Sequence, residues 1–247
     1  MRAMILAAGF GTRLKPLTNS IPKALIKIRE FTVLELQIKK LKSEGFNEII
    51  INVHHFSEQI KEYLERKKYF NCFITISDES QKLLETGGGL KKAAHFFSDR
   101  KPFLVCNVDI LSDISLKKLM DFHITSGSLA SLAIRDRISS RRFLFNKENI
   151  LCGWMNEKSG ERIIVRNKVS GLSPYSFSGI QIIDPAMFTY FPEKNVFSLV
   201  DLYLSAAKKE MILGFIHNED NWLDLGKTET LSTAESFFEK IRNTYQV

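Results

Sequence analysis

The sequence predicts an α/β fold: a Rossmann-like mixed, mostly parallel sheet flanked by helices, with a small added β-hairpin region. Three observations predict it. Apolar strand-like runs and helix-period segments alternate at short range over the first eighty residues, a rhythm that requires right-handed crossovers between parallel strands. A loop rich in glycine and cations follows the first apolar run, at the carboxyl end of a strand, where such sheets collect ligands. Beyond about residue 128 the pattern changes to successive strands, with a turn at Asn156-Glu-Lys-Ser-Gly160 between two of them. The 247 residues are expected to form one domain, 1–247, with halves 1–125 and 126–247.

Residues 4–8 end in two alanines and read as a buried strand. Gly9-Phe10-Gly11-Thr12-Arg13-Leu14-Lys15 follows, closed by Pro22-Lys23. The glycines allow positive φ and leave room for a ligand against backbone N–H groups. Those donors, with Arg13, Lys15 and Lys23 beside them, suit a polyphosphate. The dinucleotide fingerprint is excluded, because Leu14 stands where its third glycine is required, and no Walker string occurs. A tight turn with solvated charges is the simpler alternative, but it explains one glycine better than the whole combination.

Val33, Leu34, Ile38 and Leu41 predict a helix over 32–44, with Thr32 and Glu35 as a capping box and Gly45 past its end. Residues 48–53 read as a strand, 57–66 as a helix capped by Ser57, and 73–77 as a strand. A polar loop, 78–84, leads to Glu85-Thr86-Gly87-Gly88-Gly89, where three consecutive glycines disfavour a helix interior by about 1 kcal/mol each. A second ligand loop before a helix is expected there, with a flexible linker as the alternative. The strand over 102–109 ends in Asp109, either a loop N-cap or a metal ligand. Asp113 or Ser115 is the better cap for the helix at 115–124, which leaves Asp109 for metal, and Mg²⁺ favours one or two carboxylates with phosphate oxygens and water. Strands are expected at 129–134, 142–145, 150–154, 162–165 and 176–183, with helices at 185–190 and 198–209. Trp222-Leu-Asp224-Leu-Gly226 is a short extended piece before a terminal helix at 228–242, and Asp224 there is either a surface or capping carboxylate or a partner for a cation.

Composition narrows the function. The formal charge is +7, yet the basic residues are scattered and no block of five like charges occurs. Anionic small molecules fit better than nucleic acid, because the cations do not interleave with aromatics. Cys72, Cys106 and Cys152 are odd in number and lack zinc spacing, as expected of free thiols in a reducing compartment. No apolar run reaches membrane-spanning length, and the first residues lack signal-peptide architecture. A soluble, cytoplasmic protein without a membrane partner is expected.

Taken together, Leu6-Ala-Ala-Gly-Phe-Gly-Thr-Arg-Leu-Lys-Pro-Leu-Thr18, Pro22-Lys23-Ala-Leu25, Glu85-Thr-Gly-Gly-Gly89, Asp109, Phe177-Ser-Gly-Ile180 and Trp222-Leu-Asp-Leu-Gly226 resemble the sugar-1-phosphate nucleotidylyltransferases. The resemblance spans nearly the whole chain. It is nearest to the N-acetylmuramate-1-phosphate uridylyltransferases, with bacterial mannose-1-phosphate guanylyltransferases almost as near. Three departures bear on sugar and base preference: Ala24 stands for a proline after Lys23, Glu30-Phe31-Thr32 for a Gly-x-Pro, and Val108 for a glycine before Asp109.

The resemblance implies the nucleotide-diphospho-sugar transferase fold and Mg²⁺-dependent transfer from a nucleoside triphosphate to a sugar 1-phosphate. It makes 1–125 the nucleotide-binding half and 126–247 the sugar-binding half with the C-terminal helices. Arg13, Lys23 and Asp109 would be catalytic. Leu6, Ala8, Gly9, Gly11, Thr12, Arg13, Lys23, Thr86, Gly87, Gly88 and Asp109 would bind nucleotide. Glu157, Lys168 and Ser178 would contact the sugar phosphate, and Asp109 with Asp224 would hold Mg²⁺. Either a monomer or a homodimer fits. The rival readings are a glycosyltransferase of similar fold, which would want an Asp-x-Asp where Asn107-Val-Asp109 stands, and a nucleotide-sensing regulatory subunit, which would tend to lose Arg13 or Lys23.

Overall fold

The computed structural model describes residues 1–166, 171–226 and 228–245. The chain forms two compact units whose segments interleave: Met1–Leu84, Val105–Leu116 and Asp220–Val247 make the first, Glu85–Leu104 and Lys117–Glu219 the second. The class is α/β as predicted.

In the first unit the strands Arg2–Leu6, Glu48–Val53 and Phe73–Asp78 form a parallel ladder, with Leu6 opposite Asn52 and Val53 opposite Asp78. The end of strand Phe103–Asn107 lies on the other side of Arg2–Leu6. The apolar runs are continuous because the strands are buried on both faces: Ala3, Met4, Ile5, Ile49, Ile50 and Ile51 are inaccessible. The helix Val33–Ser43 is capped as expected, with Thr32 Oγ1 accepting from Glu35 N at 3.1 Å and Gly45 left-handed at φ 87°. The box closes on one side only, because the Glu35 carboxylate instead accepts from Tyr63 Oη at 2.6 Å. The helix Ser57–Arg66 has the predicted bounds but not the predicted cap: Phe56, at φ 55°, holds the cap position and Ser57 is its buried first residue.

The second unit holds mainly antiparallel strands, in the order Glu161–Ile164, Leu151–Asn156, Arg141–Phe145, Ser173–Ile183 and Ala130–Arg135. Ile212–Ile216 then pairs in parallel with Ala130–Arg135. That last strand was not foreseen, although its apolar run is a clear signal. The expected hairpin exists at Leu151–Asn156 and Glu161–Ile164. Residues 185–190 form a 3-10 helix, Leu199–Ala206 an α-helix, and Leu116–Ser126 the helix expected near 115–124.

Candidate active site

The loop after the first strand is open to solvent. Gly9, Phe10, Thr12 and Arg13 are exposed, while Leu14 and Thr18 are buried beneath them. Gly11 takes φ 65°, and its carbonyl accepts from Leu14 N at 2.8 Å and from Thr18 Oγ1 at 2.9 Å. A methyl on Gly11 would stand 2.9 Å from Thr18 Cγ2, so conformation and space both require glycine. Gly9 needs neither, as nothing lies within 4 Å of where its Cβ would be.

Two acids more than a hundred positions apart meet at this loop. The strand Trp222–Asp224 pairs antiparallel with Ile110–Ser112, which puts Asp224 opposite Ile110, and Leu225 N donates to the Asp109 carbonyl at 2.9 Å. Lys23 Nζ forms an ion pair with Asp109 Oδ2, both side chains about 85% buried. Asp224 Oδ1 accepts from Gly226 N at 2.7 Å. The space beside Gly226 is so confined that a methyl there would lie 2.7 Å from Asp224 Oδ1, 2.9 Å from Arg13 Nη2 and 3.2 Å from Lys23 Nζ. Thr228 Oγ1, at the start of helix Thr228–Ile241, donates to the Arg13 carbonyl at 3.1 Å. Arg13, Lys23, Asp109 and Asp224 thus surround one small volume.

Charge in this cluster is finely balanced. Burial lowers the Lys23 pKa to about 8; Asp224 opposes that shift and Arg13 adds to it. Lys23 stays mostly cationic at neutral pH and neutralises Asp109 directly. Two carboxylates supply hard oxygen donors of the kind Mg²⁺ accepts, with phosphate oxygens and water completing its shell. Among the described residues no group of three or more His, Cys, Asp or Glu side chains could hold a metal by itself.

The acids depend on residues that the sequence reading did not single out. From helix Val33–Ser43, Gln37 Nε2 donates to the Ile110 carbonyl and Lys40 Nζ to the Ser112 carbonyl. Lys40, one of the scattered basic residues, is 3% exposed, and burial lowers its pKa to about 8. Tyr245 Oη accepts from Ser112 N at 3.0 Å. Asp113 does not cap the following helix, because both its carboxylate oxygens accept from Asn221, at 2.7 and 2.6 Å. Nor is Asp109 left free, since Lys23 holds it. The only sequence signal for Gln37 and Lys40 was their three-residue spacing, which puts them on one helix face.

The other expected contact residues lie in the second unit. Residues 85–89 are not a loop: they open the helix Glu85–Ala93. Gly87 N and Gly88 N donate to the Phe197 carbonyl at 2.9 and 3.1 Å, and Thr86 Oγ1 accepts from Leu199 N at 2.9 Å. A methyl on Gly87 would stand 2.5 Å from the Phe197 ring, so close packing accounts for that glycine. Ser178 is fully buried and its hydroxyl lies 2.6 Å from His217 Nε2. Glu157 pairs with Arg142. Lys168 lies outside the described residues. The same unit has a cavity of about 380 Å³ walled by Phe143, Trp154, Phe177, Leu204, Arg142 and Asp201, at the small end of the range for ligand pockets.

A family model described as nucleotidyl transferase matches residues 2–144. The chain is 30% identical to the N-acetylmuramate alpha-1-phosphate uridylyltransferase of Neisseria meningitidis, over 96% of this chain and 97% of that protein. It is 38% identical to a mannose-1-phosphate guanyltransferase of Neurospora crassa, over 96% of this chain but 64% of the relative. It spans only 60% to 63% of several other relatives. In fold it is similar to a putative glucose-1-phosphate thymidylyltransferase from Bacillus anthracis, with a TM-score of 0.78 at 18% identity, covering 100% of this chain and 99% of that one. No helix among the described residues is long and apolar enough to cross a membrane.

Proposed function

From the premise that this chain belongs to the nucleotidyl transferase family, we propose that it joins a nucleoside triphosphate and a sugar 1-phosphate into a nucleotide sugar, releasing pyrophosphate. UTP with N-acetylmuramate 1-phosphate and GTP with mannose 1-phosphate are the favoured pairs, supported by relatives bearing those names. The observation that carries the reading is the convergence of Arg13, Lys23, Asp109 and Asp224 beside an open, glycine-containing loop. Three free cysteines, two of them buried, accord with a reducing, cytoplasmic setting.

An oxygen of the sugar phosphate attacks the α-phosphorus, the bond from that phosphorus to the bridging oxygen breaks, and pyrophosphate leaves. The attacking phosphate is already anionic, so no residue is needed as general base. The protein's work is to hold two anions in line and offset their charge. The loop at 8–13 offers backbone donors to the triphosphate, and Arg13 faces the charge that grows on the leaving group. Lys23 supplies a fixed cation at the α-phosphate or its acceptor. Asp109 and Asp224 would hold Mg²⁺, which when bound draws charge from the α-phosphate.

The test is a matrix of four triphosphates against a panel of sugar 1-phosphates, scored by pyrophosphate, with and without Mg²⁺ and EDTA. One pair should stand well above the rest. Asp109→Asn and Asp224→Asn should each lower kcat by on the order of 10², with EDTA reproducing the loss in the unaltered protein. Full turnover in either variant would sink the metal assignment; silence across the matrix would sink the reaction.

A further inference from the structure

A buried chain of hydrogen bonds stands behind the first loop. Asn52, near the end of strand Glu48–Val53, is 2% exposed, and Glu79, just past strand Phe73–Asp78, is 1% exposed. Ala7 N donates to Asn52 Oδ1 at 2.7 Å. Asn52 Nδ2 donates to Glu79 Oε1 at 2.8 Å, and Leu84 N donates to Glu79 Oε2 at 3.1 Å. Glu79 N is itself tied to the Val53 carbonyl at 2.7 Å. Ladder register pairs Leu6 with Asn52, so Ala7 is the first residue beyond the paired strand. The Asn52 side chain thus takes the N–H at the point where the chain leaves the sheet to form the loop.

The polarity of this relay is fixed from both ends. The backbone N–H groups at the two ends, Ala7 and Leu84, only donate, so the Asn52 oxygen faces Ala7 and its amide nitrogen faces Glu79. A carboxylate this deeply buried is tolerated because donors meet both its oxygens. Breaking the relay at either member removes what holds the position-52 acceptor on the Ala7 N–H, and so loosens the direction in which the loop departs.

We propose that Asn52 and Glu79 are positioning residues for nucleotide binding: their relay anchors Ala7 and so fixes how Gly9 to Arg13 are presented to the triphosphate. The inference rests on the phosphate reading of that loop. Neither residue acts on the reacting atoms, and both work through the backbone of Ala7.

The relay can be broken twice and repaired once. Asn52→Asp sets a carboxylate oxygen against Glu79. Glu79→Gln offers one acceptor oxygen where two donors need one each. In the double variant the polarity is restored: the new carboxylate at position 52 accepts from Ala7 N and from the new amide at 79, whose oxygen accepts from Leu84 N. The probe is whichever of ATP, CTP, GTP and UTP the unaltered protein binds best, its Kd measured by calorimetry. Thermal unfolding checks each fold, and the KM for the sugar phosphate serves as the internal control. Each single variant should weaken triphosphate binding about 10- to 100-fold, the scale of a misplaced binding group. The double variant should return to within about threefold of the unaltered protein, far from additivity. The sugar-phosphate KM should not move. Single variants that bind normally, or a double variant as weak as the singles, would overturn the proposal. If the singles do not fold, the double variant alone decides by the same threefold criterion, and its failure to fold also counts against the relay. An unaltered protein that binds triphosphate but releases no pyrophosphate with any sugar phosphate defeats the reaction reading while the Kd pattern still judges the relay. Absence of triphosphate binding defeats both.

Discussion

At the scale of single residues, glycines separate what the sequence announces from what it conceals. Gly11 was legible, because a Gly-x-Gly after a strand announces a left-handed turn, and the turn is there at φ 65°. The packing around Gly87 was not legible, because nothing local discloses that Phe197, over a hundred positions away, lies against it. Any side chain at 87 must displace both the Phe197 ring and its carbonyl, 2.5 and 2.8 Å from the added methyl. Gly87→Ala should therefore destabilise the protein by about 1–3 kcal/mol, the usual cost of overpacking, read as a lower thermal midpoint. A midpoint unchanged from the parent would mean the helix start has room that the structure does not have.

At the scale of elements, most strands and helices lie within a few residues of their expected bounds, because their apolar periodicity is strong. Caps fared worse: Ser57 and Asp113 looked like caps and are not, since the backbone at Phe56 and the side chain of Asn221 claim those positions. The helix Leu116–Ser126 carries His123, buried and 3.0 Å from Ser131 Oγ on the adjoining strand. Burial lowers its pKa from 6.5 to about 4, against a smaller opposing pull from Asp184. The unfolded chain therefore takes up a proton between those two values that the folded chain refuses, so stability falls as pH drops from about 6.5 towards 4. Each unit of that shift is worth about 1.4 kcal/mol, an upper scale for the effect. In His123→Gln this part of the acid sensitivity should vanish. Chemical unfolding at pH 7 and pH 4.5 checks it, and an equal loss in variant and parent would free His123 of the role.

At the scale of the whole molecule, the first unit is assembled from three separate stretches of chain. Its last stretch brings Asp224 to Asp109, lays Trp222–Asp224 on Ile110–Ser112, and buries Tyr245 against Ser112. A chain cut after Glu219 should lose amide protection throughout residues 1–84 and 105–116. Residues 130–135 and 173–183 of the second unit should keep theirs. Hydrogen exchange read by mass spectrometry tests this, and undiminished protection at Arg2–Leu6 would show that the last stretch is dispensable to the first unit.

The sequence by itself determined the α/β class, the open glycine-containing loop after the first strand and the placing of both acids in short extended pieces, because each is written in local pattern: continuous apolar runs, paired glycines, carboxylates at strand ends. Only the tertiary structure decided which residues meet. The ladder between Trp222–Asp224 and Ile110–Ser112, the Lys23–Asp109 ion pair and the Asn52–Glu79 relay all join positions far apart in the chain. No periodicity encodes such pairings, since they follow from how strands and helices share a buried interior rather than from any neighbour in sequence.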